Sequence, residues 1–166
     1  VPWGGSVNPL SVVVRGVECH HSSFRLSPKG HYLAGQPLGF IFETEPGVRI
    51  YHSGDSAIFS DLKLVGELYQ PTVGLMCACE LEQEYLQNLG LKDHYGNEMS
   101  GYEGALAARW LGVKHAVLCH YLRKENHKDV EDFVAEMERV NKDEGVSVRI
   151  YTPEAGEEIL IKGEDE

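Results

Sequence analysis

Between residues 48 and 150, short apolar segments alternate with amphipathic ones, and this alternation constrains the fold more than any other feature of the chain. Val48–His52 is strand-like, and Ile58, Leu62, Val65 and Tyr69 then repeat at helical spacing over 57–69, with Pro71 following the end. Residues 72–78 form a buried strand candidate. Ser100-Gly101-Tyr102-Glu103 has the S-x-x-E form of a capping box and opens a helix carrying Leu106, Ala107, Trp110 and Leu111, which Gly112 closes. His115–Cys119 is a strand. Asn126 can cap a further helix with an apolar stripe of Val130, Phe133, Val134, Met137 and Val140. Val146, Val148 and Ile150 alternate as a strand, and 158–161 can add another. Strands alternating with helices predict an α/β layer structure, not a barrel or a bundle.

The remaining segments fit around that frame. Residues 10–19 are Val-rich and strand-like, and 27–37 form a Gly/Pro-rich loop. Residues 39–43 and Val48–His52 read as two strands joined through the hairpin signature Pro46-Gly47. Residues 80–89 can form a short helix with Leu81, Tyr85 and Leu89 on one face, and 92–99 are polar and loop-like.

With 166 residues, 42% of them hydrophobic, and no repeat or linker, the chain is expected to form one structural unit over 1–166. No run of about 18 apolar residues exists, so no transmembrane helix and no membrane partner are expected. The formal net charge of −11 argues against binding a phosphate backbone, so no nucleic-acid partner is expected either. Cys19, Cys77, Cys79 and Cys119 form no CxxC pair and sit in apolar segments, which suits buried free thiols in a reducing cytoplasm. The start, Val1-Pro2-Trp3-Gly4-Gly5, has neither an initiator Met nor the features of a signal peptide. The chain is therefore expected to be processed or to continue upstream.

Three places share one arrangement, in which an apolar strand ends and a metal-ligand side chain follows. They are Cys19-His20-His21-Ser22, His52-Ser53-Gly54-Asp55-Ser56 and Leu118-Cys119-His120-Tyr121. Ligands on loops at strand ends can converge at one sheet edge while the sheet holds them rigid. Imidazole and carboxylate suit zinc, manganese or iron. Gly54 permits a sharp turn that aims Asp55 inward. From pattern alone, a lone histidine at a strand end is more often an ordinary hydrogen-bonded or exposed residue, and an Asp after Gly is usually a turn residue.

His21-Ser22-Ser23, Gly39-Phe40, Ile50-Tyr51-His52-Ser53-Gly54-Asp55-Ser56 and His120-Tyr121 follow the order and approximate spacing seen in the metallo-β-lactamase superfamily. The chain most resembles its branch of uncharacterised metal-dependent hydrolases, which is also similar to the ascorbate-6-phosphate lactonases. The resemblance runs from about residue 3 to about residue 161. It implies an α/β metallo-β-lactamase-like four-layer αββα sandwich, of which this chain holds mainly the second half. It also implies His21, Asp55 and His120 as metal ligands, with Asp55 able to bridge two ions. Asp93-His94 resembles an Asp-His pair near that site. The superfamily's HxHxDH motif is absent from these residues and is expected upstream in a longer chain.

The chemistry so implied is hydrolysis by metal-activated water on an ester, lactone or phosphodiester, with zinc as the expected metal, manganese or iron as alternatives, and one or two ions. His94 would position substrate or protonate the leaving group. His20 competes with His21 for the ligand role, since one residue of shift moves a strand side chain to the other face. His52 is expected to pack or hydrogen-bond behind the ligands, and His31, His115 and His127 to be structural or at the surface. Tyr121 and Trp110 are expected to pack. The substrate is expected to be a small molecule, and the protein a homo-oligomer or paired with a missing N-terminal half. Two other classes fit in part. A two-His, one-carboxylate iron oxygenase would need a jelly roll and a His-x-Asp/Glu pair, which the chain lacks. A non-catalytic regulatory or interaction module would account for the missing HxHxDH.

Overall fold

The computed structural model describes residues 1–21, 23–79, 87–88, 98–121 and 127–161. Its main element is a mixed seven-stranded sheet. The strands in chain order are β1 (Ser6–Val7), β2 (Val13–Val17), β5 (Gly39–Glu45), β6 (Val48–His52), β7 (Val73–Cys77), β8 (His115–Cys119) and β9 (Arg149–Tyr151), and they lie side by side in that order. The two strands left out of this sheet, β3 (Phe24–Leu26) and β4 (Tyr32–Ala34), pair with each other. The helices are α1 (Leu62–Tyr69), α2 (Gly101–Leu111) and α3 (Lys128–Glu144).

The pairing pattern decides where chemistry can occur. β2 runs antiparallel to β5, β5 antiparallel to β6, and β6, β7, β8 and β9 run parallel. Two reversals cancel, so β2 points the same way as β6, β7 and β8, and all four carboxyl ends lie at one edge. In open α/β sheets, ligands bind in the crevice outside the carboxyl ends of the strands.

Alternation along the strands sends Val17, Ile41, Tyr51, Met76, Ala116 and Leu118 to one face, where they share a core with Leu62 and Val65 of α1, Ala105, Ala108 and Leu111 of α2, and Phe133 and Met137 of α3. The opposite face carries half-buried Phe40, Phe42, Ile50 and Leu75. One sheet with its helical layer is half of the four-layer sandwich that the sequence implies. α2 has the expected capping box, with Ser100 Oγ accepting from the Glu103 amide and the Glu103 carboxylate accepting from the Ser100 amide at 2.9 Å. Gly112 closes it at φ 69°. Gly101 is fixed by packing: a Cβ there would stand 1.8 Å from the Asp129 carbonyl oxygen, so α2 and α3 meet through bare backbone.

Several sequence-based bounds are corrected. The helix expected over 57–69 begins at Leu62, and the Ala57 amide ahead of it donates to the His20 carbonyl at 2.8 Å. The strand expected over 10–19 is confined to Val13–Val17, since Leu10 and Ser11 turn at positive φ. The loop expected over 27–37 contains β4, which completes a hairpin with β3. The last strand starts at Arg149, because the Asn141 side-chain amide brackets Val148, donating to its carbonyl at 2.9 Å and accepting from its amide at 2.8 Å. Residues 158–161 form no strand. His127, not Asn126, occupies the N-cap of α3, and Asn126 lies outside the described residues. The helix expected over 80–89 lies largely outside them too.

Candidate metal centre

The shared carboxyl edge brings the expected side chains together. His21 follows β2, Asp55 follows β6 and His120 follows β8. His120 Nε2 stands 3.6 Å from Asp55 Oδ1, and His120 Nδ1 stands 3.2 Å from Glu98 Oε2. One ligand atom each from His21, Asp55 and Glu98 lies within 4.8 Å of the others. His120 holds φ 77°, a left-handed conformation that costs a β-carbon-bearing residue about 1–3 kcal/mol and tends to mark functional sites.

Glu98 is the member that sequence reasoning missed. It arrives because Met99 forms a parallel bridge with Ala78, just past β7, which carries the neighbouring carboxylate to the same edge. The acidity of the stretch before it was a signal, but a bridge formed by one residue has no local pattern. Burial raises the Glu98 carboxyl pKa, His120 opposes that rise, and Asp55 reinforces it.

Neighbouring hydrogen bonds lock the loops that carry His21 and Asp55. Ser56 Oγ accepts from the His20 amide at 2.9 Å and donates to the Ala57 carbonyl at 2.8 Å, stitching the loop after β2 to the loop after β6. Ser53 Oγ accepts from the Cys77 amide at 2.8 Å. The Gly54 amide donates to His52 Nδ1 at 3.0 Å, so His52 hydrogen-bonds behind the cluster. Gly54 turns at φ 59°, where a Cβ would stand 2.9 Å from the Leu38 carbonyl oxygen. Beneath this turn, Cys77 and Cys119 face each other across paired positions of β7 and β8, sulfur to sulfur at 3.4 Å. The Cys119 thiol and His52 hold the Cys77 thiol well below its ordinary range, and the same pairing pushes Cys119 up. Cys77 in turn raises His52.

The structure separates the two adjacent histidines. His20 stacks on Phe59 with ring centroids 4.3 Å apart and places Nε2 2.8 Å from Glu18 Oε1. His94 lies outside the described residues. His115 is buried against the Tyr151 hydroxyl at 3.0 Å, His31 is exposed, and Tyr121 donates to the Pro153 carbonyl. His127 sits beside Cys79 and Asp129.

A cation fits the cluster. His21 Nδ1 is buried with no hydrogen-bond partner among the described residues, and Glu98 Oε2 is buried with the His120 ring 3.2 Å away. Two carboxylates facing two imidazoles supply nitrogen and oxygen donors of the kind zinc, manganese and iron accept.

No protein-family model matches the sequence. The fold is that of the metallo-β-lactamase superfamily. The structure resembles a metallo hydrolase from the archaeon Ignicoccus hospitalis at TM-score 0.62 and 22% identity, over 95% of this chain and 57% of that one. It also resembles a metallo-β-lactamase fold protein of Bacillus subtilis at TM-score 0.59 and 10% identity, over 94% of this chain and 52% of the other. A diiron β-hydroxylase from Streptomyces venezuelae matches at TM-score 0.59 and 10% identity, over 90% of this chain and 32% of its own. In sequence, the chain is 34% identical over 157 residues to a UPF0173 metal-dependent hydrolase of Rubrobacter xylanophilus, covering 94% of this chain and 57% of the relative. A UPF0173 metal-dependent hydrolase of Agrobacterium fabrum is 32% identical over 157 residues, covering 93% and 58%. The chain is a homologue of part of the UPF0173 metal-dependent hydrolases, spanning a little over half the length of these relatives.

Proposed function

We propose that this chain carries one side of a hydrolase metal centre, in which His21, Asp55, Glu98 and His120 hold a divalent cation. The observation that supports this most directly is the convergence of these side chains at one sheet edge, with His21 Nδ1 buried and lacking a hydrogen-bond partner among the described residues and Glu98 Oε2 buried 3.2 Å from His120 Nδ1. Zinc suits the donor set best, with manganese and iron as alternatives. When bound, such an ion lowers the pKa of coordinated water from 15.7 to about 7.

The residues divide the remaining work. His21 and His120 bind through neutral imidazole nitrogens, while Asp55 and Glu98 balance the positive charge. Asp55, half-exposed at the tip of the Gly54 turn, is placed to span two ions if both are present. His94 is assigned to positioning substrate or protonating the leaving group. The substrate is a small ester, lactone or phosphodiester. The HxHxDH ligands absent from these 166 residues would come from a longer chain or a paired half, seated on the sheet face that carries Phe40, Phe42, Ile50 and Leu75. The absence of a disulfide at Cys19, Cys77, Cys79 and Cys119 among the described residues favours a reducing cytoplasm. No helix among the described residues is long and apolar enough to cross a membrane.

The test is elemental analysis of the purified protein beside an Asp55→Ala variant, followed by a screen of lactones, phosphodiesters and thioesters with metal-loaded protein. We expect a substantial fraction of an equivalent or more of zinc, manganese or iron, lost in the variant. Protein that stays metal-free after reconstitution would remove the proposal. The missing HxHxDH favours a second reading, a metal-binding module without turnover, which metal retention with no hydrolysis of any substrate class would select.

A further inference from the structure

A second cluster of ligand-bearing side chains lies apart from the first. Cys79 stands two residues beyond β7, His127 is the N-cap of α3, and Asp129 is in the first turn of α3. Cys79 Sγ is 3.5 Å from His127 Nε2, and His127 Nδ1 is 3.9 Å from Asp129 Oδ2. One ligand atom from each residue lies within 4.8 Å of the other two. We propose that Cys79, His127 and Asp129 form a separate, thiolate-containing site for a divalent zinc-type cation.

The separations suit an ion. In tetrahedral zinc, a thiolate about 2.3 Å and an imidazole about 2.0 Å from the metal stand about 3.5 Å apart. The 3.9 Å gap between His127 Nδ1 and Asp129 Oδ2 is too long for a hydrogen bond, so this carboxylate does not act as a hydrogen-bonded brace for the ring. One imidazole binds one ion through one nitrogen: with Nε2 beside Cys79 as that ligand, Nδ1 carries the ring proton and lies buried with no hydrogen-bond partner among the described residues.

The site is also held rigid. Asp129 Oδ1 accepts from the Gly101 amide at 2.7 Å, which ties the carboxylate to the start of α2. The His127 carbonyl accepts from the Val130 and Glu131 amides at 3.0 and 3.1 Å, fixing the residue on the first turn of α3. Ligands on locked elements bind with less reorganisation than ligands on free loops.

Charge and donor type then select the ion. A thiolate and a carboxylate neutralise a dication. Binding forms a sulfur–metal bond and releases the thiol proton to solvent. Sulfur distinguishes this site from the nitrogen and oxygen donors around Asp55, so zinc and its softer analogues are favoured over manganese or magnesium. Among the described residues three ligands are in place, and tetrahedral zinc takes a fourth donor. A bound ion would join the end of β7 to α3 and, through Asp129, to α2.

Cobalt(II) reports the sulfur directly, because a cobalt–thiolate bond gives a near-ultraviolet charge-transfer band that nitrogen and oxygen donors do not. Full-chain protein, stripped with chelator under reducing conditions, would be titrated with cobalt(II) chloride. Four variants would be titrated alongside it: Cys79→Ser, His127→Gln, Asp55→Ala and Cys77→Ser. We expect the band in the parent, in Asp55→Ala and in Cys77→Ser. Cys79→Ser should lose the band, and His127→Gln should need at least tenfold more cobalt to develop it. If Cys79→Ser does not fold, His127→Gln decides. No band in the parent, a band that survives both Cys79→Ser and His127→Gln, or a band lost only in Cys77→Ser overturns the proposal. Because Asp55→Ala is scored separately, failure here is distinct from failure of the hydrolase centre.

Discussion

The backbone amide of His20 donates to Ser56 Oγ at 2.9 Å, and this bond, beside the one from the Ala57 amide to the His20 carbonyl at 2.8 Å, holds the loop that carries His21 against the loop that carries Asp55. Ser56 is buried, and its hydroxyl passes the contact on to the Ala57 carbonyl at 2.8 Å. Ser56→Ala would leave the His20 amide without its acceptor, at a cost of about 1–3 kcal/mol. Loosened supporting groups behind metal ligands typically cost 10–100-fold in affinity. We therefore expect a lower urea midpoint together with roughly tenfold weaker zinc binding in a chelator competition. Unchanged affinity in a destabilised variant would show that the two loops keep their spacing without this bond.

The adjacent histidines should behave as opposites. His20 spends its ring on Phe59 and Glu18, whereas His21 lies with Asp55 and Glu98. Free zinc at 100 times its Kd stabilises a protein by about 2.7 kcal/mol through mass action. His20→Ala should lower the melting temperature of the metal-free protein yet keep most of that zinc-induced rise. His21→Ala should leave the metal-free protein nearly unchanged and lose the rise, as should chelation of the parent with EDTA. Thermal unfolding with and without zinc reads all three.

The contrast between these two histidines also shows what the sequence made legible. The place of Asp55 at the sheet edge was readable because the preceding strand, the Gly54 turn and the following helix are all local signals. The alternation after Val48 gave the sheet and helices, and Ser100 with Glu103 gave the start of α2. His20 and His21 were not separable, because the face a strand-end residue takes depends on tertiary register. Glu98 was hidden because only the Met99–Ala78 bridge brings it to the site. The pairing of Cys79 with His127 joins residues 48 positions apart, with no motif to announce it. The late start of β9 follows from one Asn141 side chain, which no alternation pattern records.

Gly54 gives a sharper test of the turn that aims Asp55. Its φ of 59° is strained for any residue with a Cβ, and the added carbon would meet the Leu38 carbonyl oxygen at 2.9 Å. Both partners are backbone, so neither can swing aside. Gly54→Ala should cost about 1–3 kcal/mol and displace Asp55 enough to weaken metal binding. Gly47→Ala is the control. It shares a positive φ of 79° but has nothing within 4 Å of the added carbon and no ligand beside it. It should lose stability through backbone strain alone and bind zinc as the parent does.

The pH dependence of the fold should carry a contribution from Glu136 on α3. Arg139 grips its carboxylate with Nη2 at 2.6 Å and Nε at 2.8 Å, and these bonds hold the Glu136 pKa below its ordinary value of 4.5 against the opposing effect of burial. A carboxyl depressed in the folded state binds fewer protons there than in the unfolded chain, so stability rises with pH across that interval. Its contribution is complete above the unfolded value and disappears as pH falls through the folded one. Glu136→Gln keeps the side-chain shape and removes the titration. The parent should have the higher urea midpoint at neutral pH, and the two midpoints should approach each other as pH drops below 4.5. Added salt should narrow the neutral-pH gap only in part, because Arg139 is half-exposed while the Glu136 side chain is largely buried. A gap that stays constant from neutral to acid pH would mean that Glu136 acts through packing, not through its charge.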